Sequence, residues 1–579
     1  MNNLIITEEN SSINEFDFPE NKIIDLNLNI EILKKENGLD IFLSDFIVDN
    51  LSEMVYDNIL IPLSFGNILS DYLGLRLAFH IRTTKTLNQC SNIYIYGTER
   101  IENLLINDFS KIIYSKGVRL IDYSKSKIIQ ALNNKSEKLS SRNLSSEISK
   151  ITLSIPKNYY DNHSISNEWA ISRWSRILNA EDDDGIAKVN RAVNSNLYFK
   201  YLKTVHQTNE LKPIIETELK IKNNGRVLLI DDELNKGWGE IFDYLLGELN
   251  NIYIDNLGWD FSKQTRENII SESINKIIND SIDLVILDFR LHPEDFKEQN
   301  IEKVTGYKLL KEIKKYNKGI QVIIFSATNK IWNLQALSEA GADGFVIKES
   351  IVNSSDGSFT KQSVLEFKST INIALERKFL KNIYSLLAPI IKRVELNISI
   401  KPKNYNLKIQ QCKLLNYLEY LQSADLLLYS NHKNLKYCFL QLILVIEDII
   451  KGFYIESSDK DQYVDISIYE KVMCLEKSLD KIKLILKPIE GLDKFIEGEH
   501  NIYKDDEHFK LFNNQGDRIP FNYRLNCVLY FKYKIDLDQA SKYSSLYKLR
   551  SRSVAHLGGA NVKEIDILNS LELLNILIQ

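Results

Sequence analysis

Five polar residues stand at the ends of short apolar runs: Asp231 and Asp232 after Val227–Ile230, Asp288 after Leu284–Leu287, Ser326 after Val322–Phe325, and Lys348 after Gly344–Ile347. If the runs are parallel strands of one open sheet, their carboxyl ends share an edge, and that edge is where such sheets bind ligands. Three carboxylates gathered there repel one another unless a hard, oxygen-preferring cation lies among them. Mg²⁺ suits Asp231, Asp232 and Asp288, because it needs few protein carboxylates and keeps water and phosphate oxygens as its other ligands. The chemistry implied is in-line phosphoryl transfer to Asp288, with charge neutralised by the metal and the Lys348 ammonium and Ser326 hydroxyl contacting the phosphoryl group.

A second group lies near the end, in Leu549–Gly559 (LRSRSVAHLGG). Arg552 and His556 are four apart and would share a helix face, whereas Arg550 and His556 are six apart and approach only if the helix start is irregular. Histidine moves a proton near neutral pH, and arginine offers several fixed donors to a crowded anionic phosphorane. Together they suit metal-independent RNA cleavage, in which a 2′-hydroxyl attacks the neighbouring phosphate. The alternative is an ordinary arginine-rich helix with His556 near its end, where imidazolium meets the helix dipole favourably.

These residues need elements to hold them. Strict strand–helix alternation from Arg226 to about Ser350 predicts a doubly wound (βα)5 domain with a parallel sheet. The first 220 residues also alternate β-rich runs, at Asn58–Phe65, Asn92–Tyr96 and Val118–Ile121, with longer amphipathic segments, and predict an α/β domain with a mostly parallel sheet. A polar stretch, Glu137–Ser154, reads as a loop or an exposed helix, and a helical stretch, Ser166–His206, carries the acidic break Glu181–Gly185. After Lys361 helical patterns take over, at Ser363–Ser385, Gln410–Tyr429 and Leu435–Tyr454. The expected division is an N-terminal α/β sensory or partner-binding domain (1–220), a central domain (221–355), a helical linker (356–409) and an all-α domain (410–579).

The central segment resembles the receiver domains of two-component response regulators. VLLIDDE, DLVILDFRL, TGYKLL, VIIFSAT and GADGFVIK follow the family's order over about 125 residues. The resemblance implies Asp231 and Asp232 as metal-binding acids, Asp288 as phosphoacceptor, Ser326 as the hydroxyl that follows the phosphoryl group, Lys348 as its counter-charge and Phe345 as the aromatic switch. It also implies Mg²⁺ and a histidine kinase or other signalling partner. Three departures stand out: a long interval between Asp232 and Asp288, an inserted loop His292–Val304, and Glu349 where the family usually has proline. They fit either a specialised partner surface or a receiver that is no longer phosphorylated.

The C-terminal motif resembles the R-x4-6-H signature of HEPN domains, all-helical modules of ribonucleases in toxin–antitoxin, CRISPR-associated and antiviral systems. That resemblance implies Arg550 and His556 as catalytic residues, RNA as substrate, no metal cofactor at this site, and a homodimer that pools both copies' residues. Glu447 and Asp448, after the apolar run Cys438–Ile446, suit the family's helices.

The whole chain sets further bounds. Its 579 residues exceed one core. A composition of 44% hydrophobic and 26% charged residues is that of a folded protein, and a net charge of −5 leaves no global positive field for nucleic acid, so any such contact is local. Five scattered cysteines argue against a disulfide framework or a zinc site. The start, MNNLIITEENSSINEF, lacks signal-peptide order, and no run approaches a membrane span, so a cytoplasmic location without membrane contact is expected. His80, on an apolar stretch, is expected in a core, and Trp169 and Trp174, five apart, are expected to pack on two sides of one helix. No P-loop, GxSxG, HExxH or kinase signature is present. The expectation is a bacterial signalling effector, a receiver-regulated HEPN-type endoribonuclease of defence or stress. The alternative is a non-enzymatic scaffold acting by phosphorylation-dependent interaction and dimerisation.

Overall fold

The computed structural model describes residues 2–8, 21–27, 38–65, 72–105, 107–154, 162–180, 184–206, 211–258, 260–326, 331–349, 357–400, 405–430, 434–452, 454–456, 462–466, 471–478, 481–488, 525, 528–535, 537–550 and 561–578. The chain divides into two compact units, Met1–Ile313 with Gln321–Glu376, and Lys314–Ile320 with Arg377–Gln579.

The first unit contains two parallel sheets. One is built from β1 (Asn3–Thr7), β2 (Lys22–Asp25), β3 (Asn58–Pro62), β4 (Asn92–Gly97) and β5 (Val118–Asp122), in the order β2-β1-β3-β4-β5. Both β1 (NLIIT) and β3 (NILIP) are buried along their length, as expected of strands covered on both faces by helices. The helices are α1 (Gly38–Leu51), α2 (Leu73–Thr83), α3 (Lys125–Leu132) and α4 (Ser141–Ser149). Asn3, Asn58 and Asn92 start three of the strands and form a side-chain ladder: Asn58 donates to Asn3 at 3.0 Å and Asn92 to Asn58 at 3.4 Å.

Three helices of nine or more residues follow: α5 (Asn162–Leu178), α6 (Asp184–Ser195) and α7 (Leu197–Val205). The second sheet comprises β6 (Arg226–Ile230), β7 (Tyr253–Leu257), β8 (Leu284–Leu287), β9 (Gln321–Ser326) and β10 (Gly344–Ile347). Its order, β7-β6-β8-β9-β10, repeats that of the first sheet, and both are the 2-1-3-4-5 doubly wound arrangement. Its helices are α8 (Trp238–Phe242, continued by a π-helical turn at Asp243–Glu248), α9 (Arg266–Asn279), α10 (Thr305–Tyr316), α11 (Ile331–Glu339) and α12 (Gly357–Glu376). Strand β7 escapes sequence reading because it is an edge strand, half exposed, with no continuous apolar run.

Helix α5 joins the two halves of this unit. Five residues turn a helix through well over a full turn, so Trp169 and Trp174 leave it in different directions. Trp169 stacks on Phe199 at 6.3 Å, while Trp174 sits among Trp238, Phe242, Phe325 and Phe367 at 5.4, 6.5, 5.9 and 5.5 Å. The central core is therefore completed by a residue that the sequence division assigned to the preceding domain.

The stretch expected as a helical linker, 356–409, is not one. Val364, Phe367, Ile371 and Leu375 of α12 are buried in the core of the central domain, where the helix packs on β9 and β10 as its last helix. Helix α13 (Phe379–Ser399) belongs to the second unit. There Ile383, Leu387 and Ile390 share a core with Leu421 of α14 (Tyr405–Ser430), Phe439 and Leu442 of α15 (Leu435–Lys451), Leu546 of α16 (Leu537–Leu549) and Leu571 and Leu574 of α17 (Glu564–Leu577).

The expectation of an all-α C-terminal domain needs correction as well. A four-stranded antiparallel sheet, β11 (Tyr454–Glu456), β12 (Gln462–Ile466), β13 (Lys471–Ser478) and β14 (Lys481–Pro488), lies within 410–579. Strands β13 and β14 pair from Ser478↔Lys481 to Lys471↔Pro488. The sequence KIKLILKP alternates lysine with aliphatic residues over most of its length, a period of two that suits a strand and not a helix. The region is thus helical with a β insertion. Among the described residues, no helix is long and apolar enough to cross a membrane.

Candidate functional site

The carboxyl edge of the central sheet brings the predicted residues together. Asp231 follows β6, and its backbone N–H donates to the Leu257 carbonyl at 3.1 Å; Asp288 follows β8, and its N–H donates to the Ile230 carbonyl at 2.9 Å. Lys348 follows β10, and its N–H donates to the Ser326 carbonyl at 2.9 Å. Strand pairing therefore fixes all four backbones before any side-chain contact forms. Phe345 pairs with Ile324 in the ladder and is half-buried.

Two glycines let the chain pass close to the acids. Gly258 has φ +148, and a Cβ there would lie 1.8 Å from the Asp231 carbonyl oxygen. A Cβ on Gly306 would lie 2.6 Å from the Asp288 carbonyl oxygen. Neither approach admits a side chain without moving backbone.

Lys348 Nζ lies 2.8 Å from Asp231 Oδ2 and 2.6 Å from Asp288 Oδ2, with all three side chains fully buried. Burial alone would lower the lysine's pKa, but the two carboxylates more than reverse that and hold the ammonium charged. Burial raises the pKa of Asp231, opposed by Lys348, and raises that of Asp232 further because Asp231, Asp288 and Glu233 add negative charge around it. One ammonium does not neutralise three carboxylates. Oxygens of Asp231, Asp232 and Asp288 lie within 4.8 Å of one another, and Asp232 Oδ1 is buried without a hydrogen-bond partner among the described residues. This oxygen donor set fits a small hard cation such as Mg²⁺.

Side chains that sequence reading passed over frame the site. Glu349, one of the departures from the receiver pattern, places Oε1 2.7 Å from both Arg173 Nε on α5 and Thr360 Oγ1 on α12. The backbone after Lys348 is thus tied down by a buried ion pair. On the other flank, Asn167 of α5 accepts from Trp238 Nε1 at 3.0 Å and donates to Glu233. The inserted loop is ordered around buried Asp295, whose oxygens accept from the N–H groups of Leu291, His292 and Thr305 at 3.1, 3.1 and 3.2 Å, and which pairs with Arg266 at 3.1 Å. The spacing of His292 and Asp295 as a helix cap was the signal for this anchor. Arg173 gave none, since its partner lies far along the chain.

The first domain lacks this chemistry. The positions following its strands hold Glu8 and Glu9 in place of the aspartate pair, and Leu63, Thr98 and Tyr123 in place of the phosphoacceptor, hydroxyl and lysine, with Thr98 offering the matching hydroxyl. Residues 10–121 match the family model of the inactive receiver domain. The match to an inactive receiver thus falls on the N-terminal region read from sequence only as a general α/β domain, whereas the motifs singled out there lie in the central one. Fold and strand-end chemistry agree with this match: the same sheet order, without the phosphoacceptor aspartate or the lysine.

Three of the solved structures that show likeness are response regulators. One is a LuxR-family two-component response regulator from Aurantimonas sp. SI85-9A1, 19% identical, covering 25% of this chain and 86% of that one, with a TM-score of 0.18. Two others are described as two-component system response regulator/GGDEF domain proteins, 10% and 12% identical, each covering 65% of this chain and all of its own, both with a TM-score of 0.18. Scores this low leave the fold resting on the strand order itself. No curated protein matches the chain.

His80 is buried in the inactive receiver, as expected, but within a polar network. Its Nε2 lies 2.9 Å from Asp40 Oδ1, and its Nδ1 faces Lys200 Nζ at 3.4 Å. Burial outweighs the Asp40 carboxylate and lowers its pKa to about 4. In the second unit, Arg550 Nε lies 3.1 Å from Glu447 Oε1. Burial raises the Glu447 pKa, with Arg550 pulling it back. His556 and Arg552 lie outside the described residues.

Proposed function

We propose that this chain is a response-regulator-like signalling protein in which the central domain accepts a phosphoryl group on Asp288 and the inactive receiver serves as its fixed scaffold. The observation that carries this reading is the set of three carboxylates at one sheet edge, with Lys348 Nζ 2.6 Å from Asp288. In the transfer, an Asp288 oxygen forms the new bond to phosphorus as the donor's bond to phosphorus breaks, P–N in a phosphohistidine or P–O in acetyl phosphate, and the leaving group departs with that electron pair. Asp231, Asp232 and Asp288 would hold Mg²⁺, which supplies charge neutralisation when bound. Lys348 turns from the carboxylates to the new phosphoryl oxygens, Ser326 donates to them, and half-buried Phe345 follows Ser326 inward. A histidine kinase or other phosphodonor is the partner this chemistry requires, and a cytoplasmic setting suits it.

The output would pass through the helical second unit, by partner binding or homodimerisation. A second reading, HEPN-type RNA cleavage by Arg550 and His556 without metal, is favoured by one observation: Arg550 is held against Glu447 on α15.

Acetyl phosphate with Mg²⁺ should place an acid-stable, base-labile phosphate on the wild type and none on Asp288→Asn. Failure of labelling would make the central domain a second inactive receiver. Single-stranded RNA incubated in EDTA tests the other reading: cleavage lost in both Arg550→Ala and His556→Ala supports a nuclease, and no cleavage by the wild type in either phosphorylation state removes it.

A further inference from the structure

A cavity of about 710 Å³ opens where α4–α7 close on the inactive receiver, away from the acidic edge of the central sheet. Six cationic side chains line it: Lys85, Arg142, Arg173, Arg176, Lys200 and Lys203. Among the described residues no aspartate or glutamate lines it, and the remaining polar lining is mainly hydroxyl and amide. In a chain of net charge −5 this is a local inversion of sign.

Lys200, Lys203 and Arg176 donate to neutral groups, while Arg173 pairs with Glu349. Lys200 Nζ donates to Ser44 Oγ and Thr84 Oγ1, both at 2.8 Å, and its side chain is buried. Lys203 Nζ and Arg176 Nη2 both donate to Asn194 Oδ1, at 2.8 and 2.9 Å. Burial lowers the Lys200 pKa to about 8, with Asp40 and Asp45 acting against it from outside the cavity. Lys203 is lowered to about 7, first by burial and then by the charges of Arg176, Lys200 and Arg173. Gathering like charges in a half-closed space is unfavourable unless an anion joins them.

We propose that this cavity is a binding site for a small, multiply charged phosphate compound, of the size of a nucleotide. Its volume falls in the range of small-molecule sites and is too confined for a folded nucleic acid. Arginine forks and lysine point charges together match a chain of phosphates. Arg173 gives the site a route to the acidic edge, because the guanidinium that lines the cavity also holds Glu349, next to Lys348. The proposal does not depend on phosphorylation of Asp288.

The test is calorimetric titration of the full chain in EDTA with tripolyphosphate, ATP, adenosine and single-stranded RNA. Tripolyphosphate or ATP should bind, adenosine should not, and affinity should fall steeply with salt. Equal affinities would identify the phosphate chain as the determinant, and tighter ATP binding a nucleotide. The double variant Arg176→Gln with Lys203→Gln should bind at least about tenfold more weakly, while Lys542→Gln, in the second unit, should bind like the wild type. Circular dichroism would confirm that the variants fold. Absence of binding by both phosphate compounds, binding of RNA alone, or affinity unchanged in the folded double variant would each overturn the proposal.

Discussion

Replacing Lys348 with methionine removes the one ammonium that bridges Asp231 and Asp288 while keeping a side chain of similar length. Both carboxylates are fully buried and lie 2.8 and 2.6 Å from Nζ. Breaking a buried pair by deleting one partner costs about 3–5 kcal/mol, because uncompensated charge stays behind. Here two charges lose their partner and a third, Asp232, already has a buried oxygen unsatisfied among the described residues, so the upper end of that range applies in EDTA. A cation among the three acids should restore part of the loss. For the wild type, Mg²⁺ at tenfold its dissociation constant adds about 1.4 kcal/mol; in Lys348→Met the gain should be larger, because Mg²⁺ replaces the missing charge instead of competing with it. Since a chain of several domains need not unfold in one step, the assay is amide hydrogen exchange in Val227–Ile230 and Leu284–Leu287, with and without Mg²⁺. A loss under about 1 kcal/mol, or the same Mg²⁺ response in both proteins, would refute the electrostatic account of the site.

Trp174→Ala should destabilise the central domain by about 3–5 kcal/mol, seen as faster exchange in β6 and β9, although residue 174 precedes that domain in sequence. A double-mutant cycle of Arg173→Ala and Glu349→Gln, followed by urea unfolding, should give a coupling of at least about 1 kcal/mol; additive effects would mean that the 2.7 Å pair does not lock α5 to the site. The stability of the inactive receiver should fall as pH drops from 6.5 to about 4, because the unfolded chain protonates its histidine below 6.5 while folded His80 stays neutral to about 4. The loss is about 3 kcal/mol, absent above pH 6.5 and complete below about 4. Asp40, whose pKa is held below its ordinary value by His80 and Arg76 despite burial, contributes only at lower pH. His80→Gln should flatten the slope between 6.5 and 4 in a fluorescence-monitored unfolding series.

The acidic site was legible in the sequence because a parallel sheet imposes a local rule. Each buried strand reads as a continuous apolar run, and its carboxyl end marks an edge, so Asp231, Asp288, Ser326 and Lys348 are located by residues next to them. Gly258 and Gly306 belong to the same local logic. The inactive receiver was not legible as a receiver. Its strands follow the same rule, but Glu8 and Glu9 stand in place of the aspartate pair, Leu63 and Tyr123 stand at the phosphoacceptor and lysine positions, and a sheet order is not written in any one segment.

Composition and periodicity by themselves indicated a folded, multidomain α/β protein with a helical C-terminal part, and the ends of the apolar runs singled out the acids, hydroxyl and lysine at 231, 232, 288, 326 and 348. Tertiary structure decided what depends on distant partners. Trp174 joins a core formed more than 60 residues later, Glu349 finds Arg173 across 176 residues, and α12 folds back onto the central sheet where a linker was expected. Six cations from α4–α7 and the inactive receiver meet around one cavity, though no two adjacent segments announce it. The physical reason is the same throughout: periodicity reports which face of an element is buried, whereas the partner on that face, and the sign of the charge gathered there, are set by chain closure over long distances.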